Sequence, residues 1–216
     1  RSALVGNDNL PKAPAGTALH NHLAALPPAG PTVSRVSGPD RYATAVAISQ
    51  HAFTGTAPVV YIATGTNYPD ALSAGPAASK QGGPLLLTPP TFLAASVRAE
   101  IERLQPSTIV VVGSAAAVSD AVEAQLRALQ PNTVRISGSD RYATSRAIVD
   151  YAFDSSTEVY VATGRDFPDA LSASAAAAHS GSAVVLVDGR ASNLDETTAA
   201  LIGSLHPTTI AMVGGL

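Results

Sequence analysis

The sequence predicts an α/β protein with two tandem repeats of about 100 residues, each a mostly parallel, three-layer α/β sheet of the Rossmann-like kind. Three observations lead to this prediction. Four sequence blocks recur in the same order. Apolar runs rich in Val, Ile and Leu alternate with amphipathic stretches. The chain is 46% hydrophobic and only 13% charged, so it can bury a large core.

The internal duplication is the strongest of these observations, because repeats at a fixed period indicate one structural unit used twice. Residues 35–44, RVSGPDRYAT, recur at 135–144 as RISGSDRYAT. Three further blocks recur at nearly the same offset: 60–65 at 159–164, 69–74 at 168–173, and 104–109 at 205–210.

The first half of the repeat contains two strand–helix pairs. The run 32–37 predicts a strand, and 40–53 predicts an amphipathic helix that begins at Asp40, a residue type that favours the N-cap. The apolar run 58–63 predicts the second strand, and 70–80 predicts the second helix.

The second half continues the alternation. The runs 84–88 and 108–112 predict strands, and 94–104 and 119–129 predict helices. Continuous apolar runs are expected where both faces of a sheet are covered. Strict alternation of strands and helices predicts parallel strands.

The predicted organisation has three parts: residues 1–32 as the tail of a preceding repeat, 33–132 as one repeat, and 133–216 as a second repeat that lacks its last helix. In the tail, 3–6 resemble the end of a fourth strand and 17–26 favour a helix. We expect this tail either to belong to an upstream repeat or to pack against the second repeat in place of the missing helix.

Composition excludes several kinds of site and partner. The chain has no cysteine, which excludes disulfides, thiolate zinc sites and a Cys nucleophile. Its net charge of -3 gives no global positive field for nucleic acid. No apolar run reaches the roughly 18 residues that span a bilayer, so membrane insertion is not expected. The chain begins at Arg1 instead of Met, which we interpret as removal of any leader.

The sequence contains few features that are typical of an enzyme active site. None of the five His residues recurs at equivalent positions of the repeats. The chain has no nucleotide-binding, zinc-protease or nucleophile-elbow motif, no Asp-x-Asp pair and no acid cluster shared by the repeats. We therefore predict no enzymatic activity, no cofactor and no metal site.

Recurrent polar residues precede the first helix of each repeat. Asp40 and Asp140 are expected to be N-caps. Arg41 and Arg141 stand in the first turn, where a cation opposes the helix macrodipole. Two reasons would explain this placement: an ion pair with a neighbouring repeat, or an external anion.

The loops after the second strand of each repeat are the best candidates for a ligand site, because parallel α/β sheets bind ligands at the carboxyl ends of strands. The candidate residues are Thr64 and Asp70 in the first loop, and Thr163, Arg165 and Asp169 in the second. The alternative is that Thr and Gly make a tight turn and that Asp70 caps the next helix.

The motif R-x-x-G-x-D-R-Y-x-T, followed by V-Y-x-A-T-G-x-x-x-P-D-A-L-S-A, an apolar strand and T-I-V-V-V-G, resembles the cell wall-binding repeat 2 family over residues 33–216. This resemblance implies exported surface proteins, a fold likened to the toprim fold, and repeats packed three to a triangle. It also implies non-covalent binding to anionic wall polymers such as teichoic-acid-like polysaccharides.

Some residues carry over from the family's motifs by position. Its apolar strand motif falls on 85–87 and 184–186, which we predict to be buried core. The two tyrosines of its R-Y-x-T motif are expected either to pack or to stack on sugar rings. That motif falls on Arg41, Tyr42 and Thr44 and on Arg141, Tyr142 and Thr144.

We therefore predict a non-catalytic, extracellular anchoring module of a Gram-positive-type wall, which binds an anionic polysaccharide through repeated weak sites. Its other expected partners are neighbouring repeats or further copies of itself. The alternatives are a self-associating surface-layer module and a toprim-like, metal-dependent hydrolase. The local cations available to a polyanion are Arg35, Arg41, Arg135, Arg141 and Arg165.

Overall fold

A computed structural model of the protein describes residues 33–214 of the 216-residue chain. The chain divides into two compact units, one that ends at Ser37 and one that begins at Gly38. The first unit is described only for 33–37, which have no regular secondary structure. The predicted tail 1–32, with its strand and helix, lies outside the described residues.

The second unit begins with four helices and three strands that follow the order predicted for the first repeat. They are α1 (Arg41–Ala52), β1 (Val59–Thr64), α2 (Pro69–Lys80), β2 (Leu85–Thr88), α3 (Ala95–Leu104), β3 (Thr108–Val112) and α4 (Asp120–Leu129).

The second repeat follows in the same order, up to its last described strand. Its elements are β4 (Thr133–Ile136), α5 (Arg141–Ala152), β5 (Glu158–Thr163), α6 (Pro168–Ser180), β6 (Ala183–Val187), α7 (Glu196–Ser204) and β7 (Thr209–Val213). None of the helices in the described part of the chain has the length and apolarity that crossing a membrane requires.

The strands form two parallel sheets. The first sheet has the order β2-β1-β3-β4 and the second has the order β6-β5-β7. The predicted α/β class with parallel sheets and tandem repeats is confirmed. Strand β4 opens the second repeat in sequence but pairs with β3, so the first sheet includes a strand from each repeat.

The strand predicted at 32–37 is wrong for its described part, 33–37. Its counterpart β4 is a strand because its backbone pairs with β3, with Val110 opposite Val134. A backbone segment becomes a sheet strand only when a neighbouring strand takes up its N–H and C=O groups. Apolar sequence at 32–37 could not reveal whether such a neighbour is available.

The first sheet is covered on both faces, as a three-layer fold requires. One face packs on α1, α3 and α4 through a core that includes Val60, Ile62 and Leu86. The other face packs on α2, and this core continues into α5, β5 and β6 of the second repeat. The strands therefore alternate side chains between two cores, which explains their unbroken apolar sequence.

Helix α2 holds the two repeats together. It packs against α5, α6 and the edge strand β6. The Ser73 and Ser145 hydroxyls lie 2.8 Å apart, and Ser174 donates to the backbone carbonyl of Leu72 at 2.5 Å. Small residues along these helices let their backbones approach closely enough for such bonds.

The recurrent acidic residues at the helix starts have different roles. Asp40 and Asp140 are N-caps as predicted, and each accepts a hydrogen bond from a backbone N–H at 2.7 and 2.8 Å. The prediction that Asp70 caps the next helix is wrong. Tyr68 occupies the N-cap without a side-chain bond and Pro69 begins α2. The Asp70 carboxylate therefore lies in the first turn, free to face elsewhere.

Candidate functional site

The recurrent segment before α1 and α5 is fixed by its own hydrogen bonds. The backbone N–H groups of Gly38 and Gly138 donate to the hydroxyls of Thr44 and Thr144, each at 3.0 Å. A Cβ on Gly38 would lie 2.5 Å from the carbonyl carbon of Ala43, so only glycine fits this approach. The Gly and Thr of the motif therefore shape the turn.

The positions of the recurrent arginines are explained by a hydrogen bond to the backbone, which is neither the ion pair nor the external anion considered from sequence. Arg41 donates to the carbonyl of Gly65 at 2.5 Å, and Arg141 donates to the carbonyl of Gly164 at 2.6 Å. Each bond ties the start of a repeat's first helix to the end of its second strand. The ring of Tyr42 packs against Gly65 at the same place. A Cβ on Gly65 would lie 2.5 Å from this ring, so the close approach requires glycine.

The carboxyl ends of β1 and β3 open into a cleft of about 360 Å³, here called the first cleft. This size falls within the range of ligand-binding clefts. The first repeat contributes the hydroxyl and amide side chains of Thr66, Asn67 and Ser114, together with Asp70. The second repeat closes the opposite wall with residues 138–141 and Thr144. The first cleft therefore exists only where two repeats meet.

Two opposite charges face each other across the first cleft. The carboxylate of Asp70 makes no hydrogen bond and no ion pair within 4.0 Å among the described residues. Burial raises the pKa of Asp70, and the positive charge of Arg141 partly offsets this rise. Gly113, at φ 97°, makes room for the carboxylate, because a Cβ there would lie 2.5 Å from Asp70 Oδ2. The gap between the two charges is open to a ligand.

The second repeat has an equivalent cleft of about 480 Å³, here called the second cleft, at the carboxyl ends of β5 and β7. Asp169 occupies the position of Asp70 and faces Gly214 as Asp70 faces Gly113. Among residues 33–214, no helix start of a further repeat closes this cleft as 138–141 close the first.

The second cleft carries more charge than the first. Arg165 replaces Thr66 and forms two bonds to Asp188, at 2.5 and 2.9 Å. Its guanidinium, together with the backbone N–H and the charge of Arg190, lowers the pKa of Asp188 to about 2. Arg190 also lines the cleft, and its exposed guanidinium forms no hydrogen bond or ion pair with the described residues.

The structure divides the predicted site residues into two groups. Neither cleft is lined by Arg41, Tyr42, Thr44 or Tyr142, although Tyr142 faces a neighbouring groove. The others meet in the clefts: Thr64, Asp70, Arg141 and Thr144 in the first, and Thr163, Arg165 and Asp169 in the second. Ligand binding by any of them stays a prediction.

Some cleft residues were not predicted. Ser114 follows the apolar strand 108–112, so the rule that ligands bind at carboxyl ends of strands could have found it. Arg190 lies in a loop that the repeat comparison does not match, and sequence gave no signal for it.

Two other sequence-based expectations have clear outcomes. Arg135 is unsuitable as a cation for a polymer, because its guanidinium is taken up by Glu123 and the carbonyls of Gly113 and Val118, at 2.6 to 2.8 Å. The apolar strand motif is buried as predicted at 184–186 and at Leu86, which are fully inaccessible to solvent, whereas Leu85 and Leu87 are only partly buried.

Two segments of the chain, 35–123 and 135–216, match the family described as Cell wall binding domain 2. Two curated relatives are from Bacillus subtilis strain 168. The N-acetylmuramoyl-L-alanine amidase LytC is 30% identical over 85% of this chain and 36% of its own length. The Amidase enhancer is 32% identical over 71% of this chain and 21% of its own length. The chain thus spans about a third of the length of LytC and about a fifth of the length of the Amidase enhancer.

Solved structures give the same result. Cwp8 from Clostridium difficile matches 83% of this chain and 30% of its own chain, with a TM-score of 0.76 and 32% identity. Cwp6 from the same organism matches 70% of this chain and 24% of its own, with a TM-score of 0.64 and 31% identity. At these identities the similarity covers sequence as well as fold.

Proposed function

The chain belongs to the Cell wall binding domain 2 family, and from this premise we propose that it is a non-catalytic anchoring module that binds an anionic secondary polysaccharide of the wall. Binding takes place outside the cell, and the polymer is of the teichoic-acid type. The module holds the protein that carries it to the wall without a covalent bond.

The duplicated cleft is the observation that carries this proposal. Each repeat has an open, polar cleft at the carboxyl ends of its parallel strands, with an unpartnered aspartate in the first turn of the following helix. A polymer repeats its chemical units, so related clefts can bind it together. Two weak sites on one chain then gain avidity without either being tight.

A binding role fits the chemistry of the clefts better than hydrolysis does. Among the described residues, no group of three or more His, Asp or Glu side chains is placed to hold a metal ion. The acids that line the first cleft are Asp70 and Asp140, and the second of these is occupied as an N-cap. We therefore propose binding without bond cleavage at these clefts.

Sedimentation with purified walls tests this function. We expect the chain to co-sediment with intact Gram-positive walls and to remain in solution with walls stripped of their anionic polymer. Binding should fall as salt is raised from about 0.05 to 0.5 M, because ions screen guanidinium–anion attraction. Equal binding to stripped walls would contradict the polymer assignment, and failure to bind intact walls would contradict anchoring.

Self-association is a second candidate, favoured by the outer strand β7. Ile210 and Met212 on this strand are 51% and 83% exposed, unusually open for sheet residues. If copies of the chain associate through this strand, light scattering will give a mass that rises with concentration. A constant monomer mass over the concentrations used for wall binding would exclude this function.

A further inference from the structure

The two clefts share one group and differ in another. Both have a carboxylate in the first turn of a helix, Asp70 or Asp169, that no described residue binds. The first cleft has one lining arginine, Arg141, which is bonded to the carbonyl of Gly164. The second cleft has two, Arg165 and Arg190. The two clefts occupy equivalent positions of the fold. We therefore expect the aspartate that both contain to bind a chemical group present on every unit of the ligand. A residue found in the second cleft alone is expected to bind a group that is recognised only there.

The shared carboxylates call for a hydrogen-bond donor. An ionised carboxylate only accepts hydrogen bonds. A phosphate or carboxylate of the polymer would be repelled by it. Sugar hydroxyls are donors and are present on every unit of a polysaccharide. The walls of the first cleft also include the hydroxyl and amide side chains of Thr66, Asn67 and Ser114, which suit an uncharged sugar ring.

The second cleft has a cation that is available to an anion. Arg165 is held by two bonds to Asp188, so its charge is largely compensated inside the protein. The backbone N–H of Arg190 donates to Asp188 at 3.0 Å, and the positive charge of Arg190 also acts on this carboxylate. The Arg190 guanidinium nevertheless forms no hydrogen bond or ion pair with the described residues and lines the cleft. A guanidinium binds phosphate or carboxylate oxygens through parallel hydrogen bonds.

We propose that Asp70 and Asp169 bind sugar hydroxyls of the wall polymer, and that its anionic group is recognised at the second cleft alone, by Arg190. This inference rests on the proposed wall-binding function and deepens it. It assigns the recurrent acid, instead of the recurrent Arg41 and Arg141, as the main contact to the sugar, since these arginines are each bonded to a glycine carbonyl.

The direction in which Asp70→Asn changes the affinity for walls distinguishes binding of a sugar hydroxyl from binding of an anion. In Asp70→Asn a negative charge is removed from the first cleft. If the cleft holds an anion, affinity for purified walls will rise. If it holds a sugar hydroxyl, affinity will fall about tenfold, because a hydrogen bond to a charged acceptor is lost. Asp150→Asn is the matched control, since Asp150 lies exposed at the far end of α5.

The dependence of wall binding on salt concentration tests whether Arg190 recognises the anionic group. In Arg190→Gln we expect weaker wall binding and a clearly flatter fall of affinity with salt, whereas Asp70→Asn should keep the slope of wild type. Lys80→Gln is the matched control, because Lys80 lies at the C-terminal end of α2 and lines neither cleft. Circular dichroism confirms folding, and Asp169→Asn repeats the sign test in the second cleft if Asp70→Asn fails to fold.

The outcomes distinguish this inference from the proposed function. Wild type that does not bind walls contradicts the function itself. Wild type that binds, with Asp70→Asn and Asp169→Asn as tight as Asp150→Asn or tighter, overturns the sugar contact and leaves wall binding standing. An unchanged salt slope in Arg190→Gln overturns the assignment of the anionic group.

Discussion

At the scale of single residues, the fold satisfies most of the recurrent polar groups and leaves Asp70 and Asp169 unpartnered. Asp40 and Arg41 look equally available in sequence, yet one caps a helix and the other binds the carbonyl of Gly65. The Asp70 carboxylate instead lies half-buried in the first cleft. A group kept in this state costs stability and so indicates a functional use.

Replacing this carboxylate should stabilise the protein near neutral pH. The folded-state pKa of Asp70 is raised by burial, so ionisation destabilises the fold above that pKa. In Asp70→Asn we expect a higher free energy of unfolding at pH 7, by less than about 1 kcal/mol because the group is partly solvated. The gain should disappear as the pH falls through the folded-state pKa toward the unfolded one.

Urea unfolding of both proteins at several pH values between 3 and 7 measures this difference. Asp150→Asn, an exposed substitution of the same kind, should show no such pH-dependent gain. A variant less stable than wild type at pH 7 would mean that the carboxylate has a stabilising partner, and it could then not be called a free ligand contact.

At the scale of elements, the side chain of Arg135 links β4 to α4 and to the loop after β3, where the two repeats join. Arg135 on β4 bonds to Glu123 of α4 and to the carbonyls of Gly113 and Val118, which follow β3. These bonds hold the loop that lines the first cleft. The side chain thus acts on the cleft through the backbone and does not need to touch a ligand.

Removing these bonds should be costly. In Arg135→Gln we expect a loss of about 2 kcal/mol in the free energy of unfolding, because two carbonyls and a carboxylate lose their donor. Arg98→Gln is the control, since Arg98 makes a single bond to Gln125 at 3.2 Å, and it should cost well under 1 kcal/mol. Equal losses in the two variants would show that the Arg135 network contributes little.

Sequence predicted the elements well because each has a local signal. The apolar run 108–112 coincides with β3, and the repeated Asp before the DRYxT helices is an N-cap. The two failures have different causes. Whether 33–37 pair as a strand depends on a neighbouring strand that is distant in sequence. Asp70 does not cap α2 because Pro69 takes the first helical position, which is a local signal that the sequence does contain.

At the scale of the whole molecule, the two repeats are not independent units. Leu72 of α2 in the first repeat packs into the core formed by α6 and β6 of the second. The largest core likewise includes residues of both repeats, such as Tyr61 of β1 and Val185 of β6, and is continuous across the repeat boundary. Sequence could reveal the duplication, but it could not show that a cleft forms where two repeats meet.

This shared core predicts one cooperative unfolding transition for the unit that begins at Gly38. Leu72→Ala should lower the free energy of unfolding by about 2–4 kcal/mol, because Leu72 is only 5% exposed. Its counterpart Leu171 is 54% exposed, so Leu171→Ala should have a much smaller effect. Calorimetry showing two transitions, with only one shifted by Leu72→Ala, would contradict a shared core.

The paired clefts, with their unpartnered aspartates, are the surfaces that we propose bind the wall polymer. The most direct test is the binding isotherm on purified walls of a chain carrying both Asp70→Asn and Asp169→Asn, measured beside Asp150→Asn. We expect the double variant to fold and to lose about a hundredfold in affinity, since each cleft loses a charged hydrogen bond. A folded double variant that binds as tightly as the control would contradict the claim.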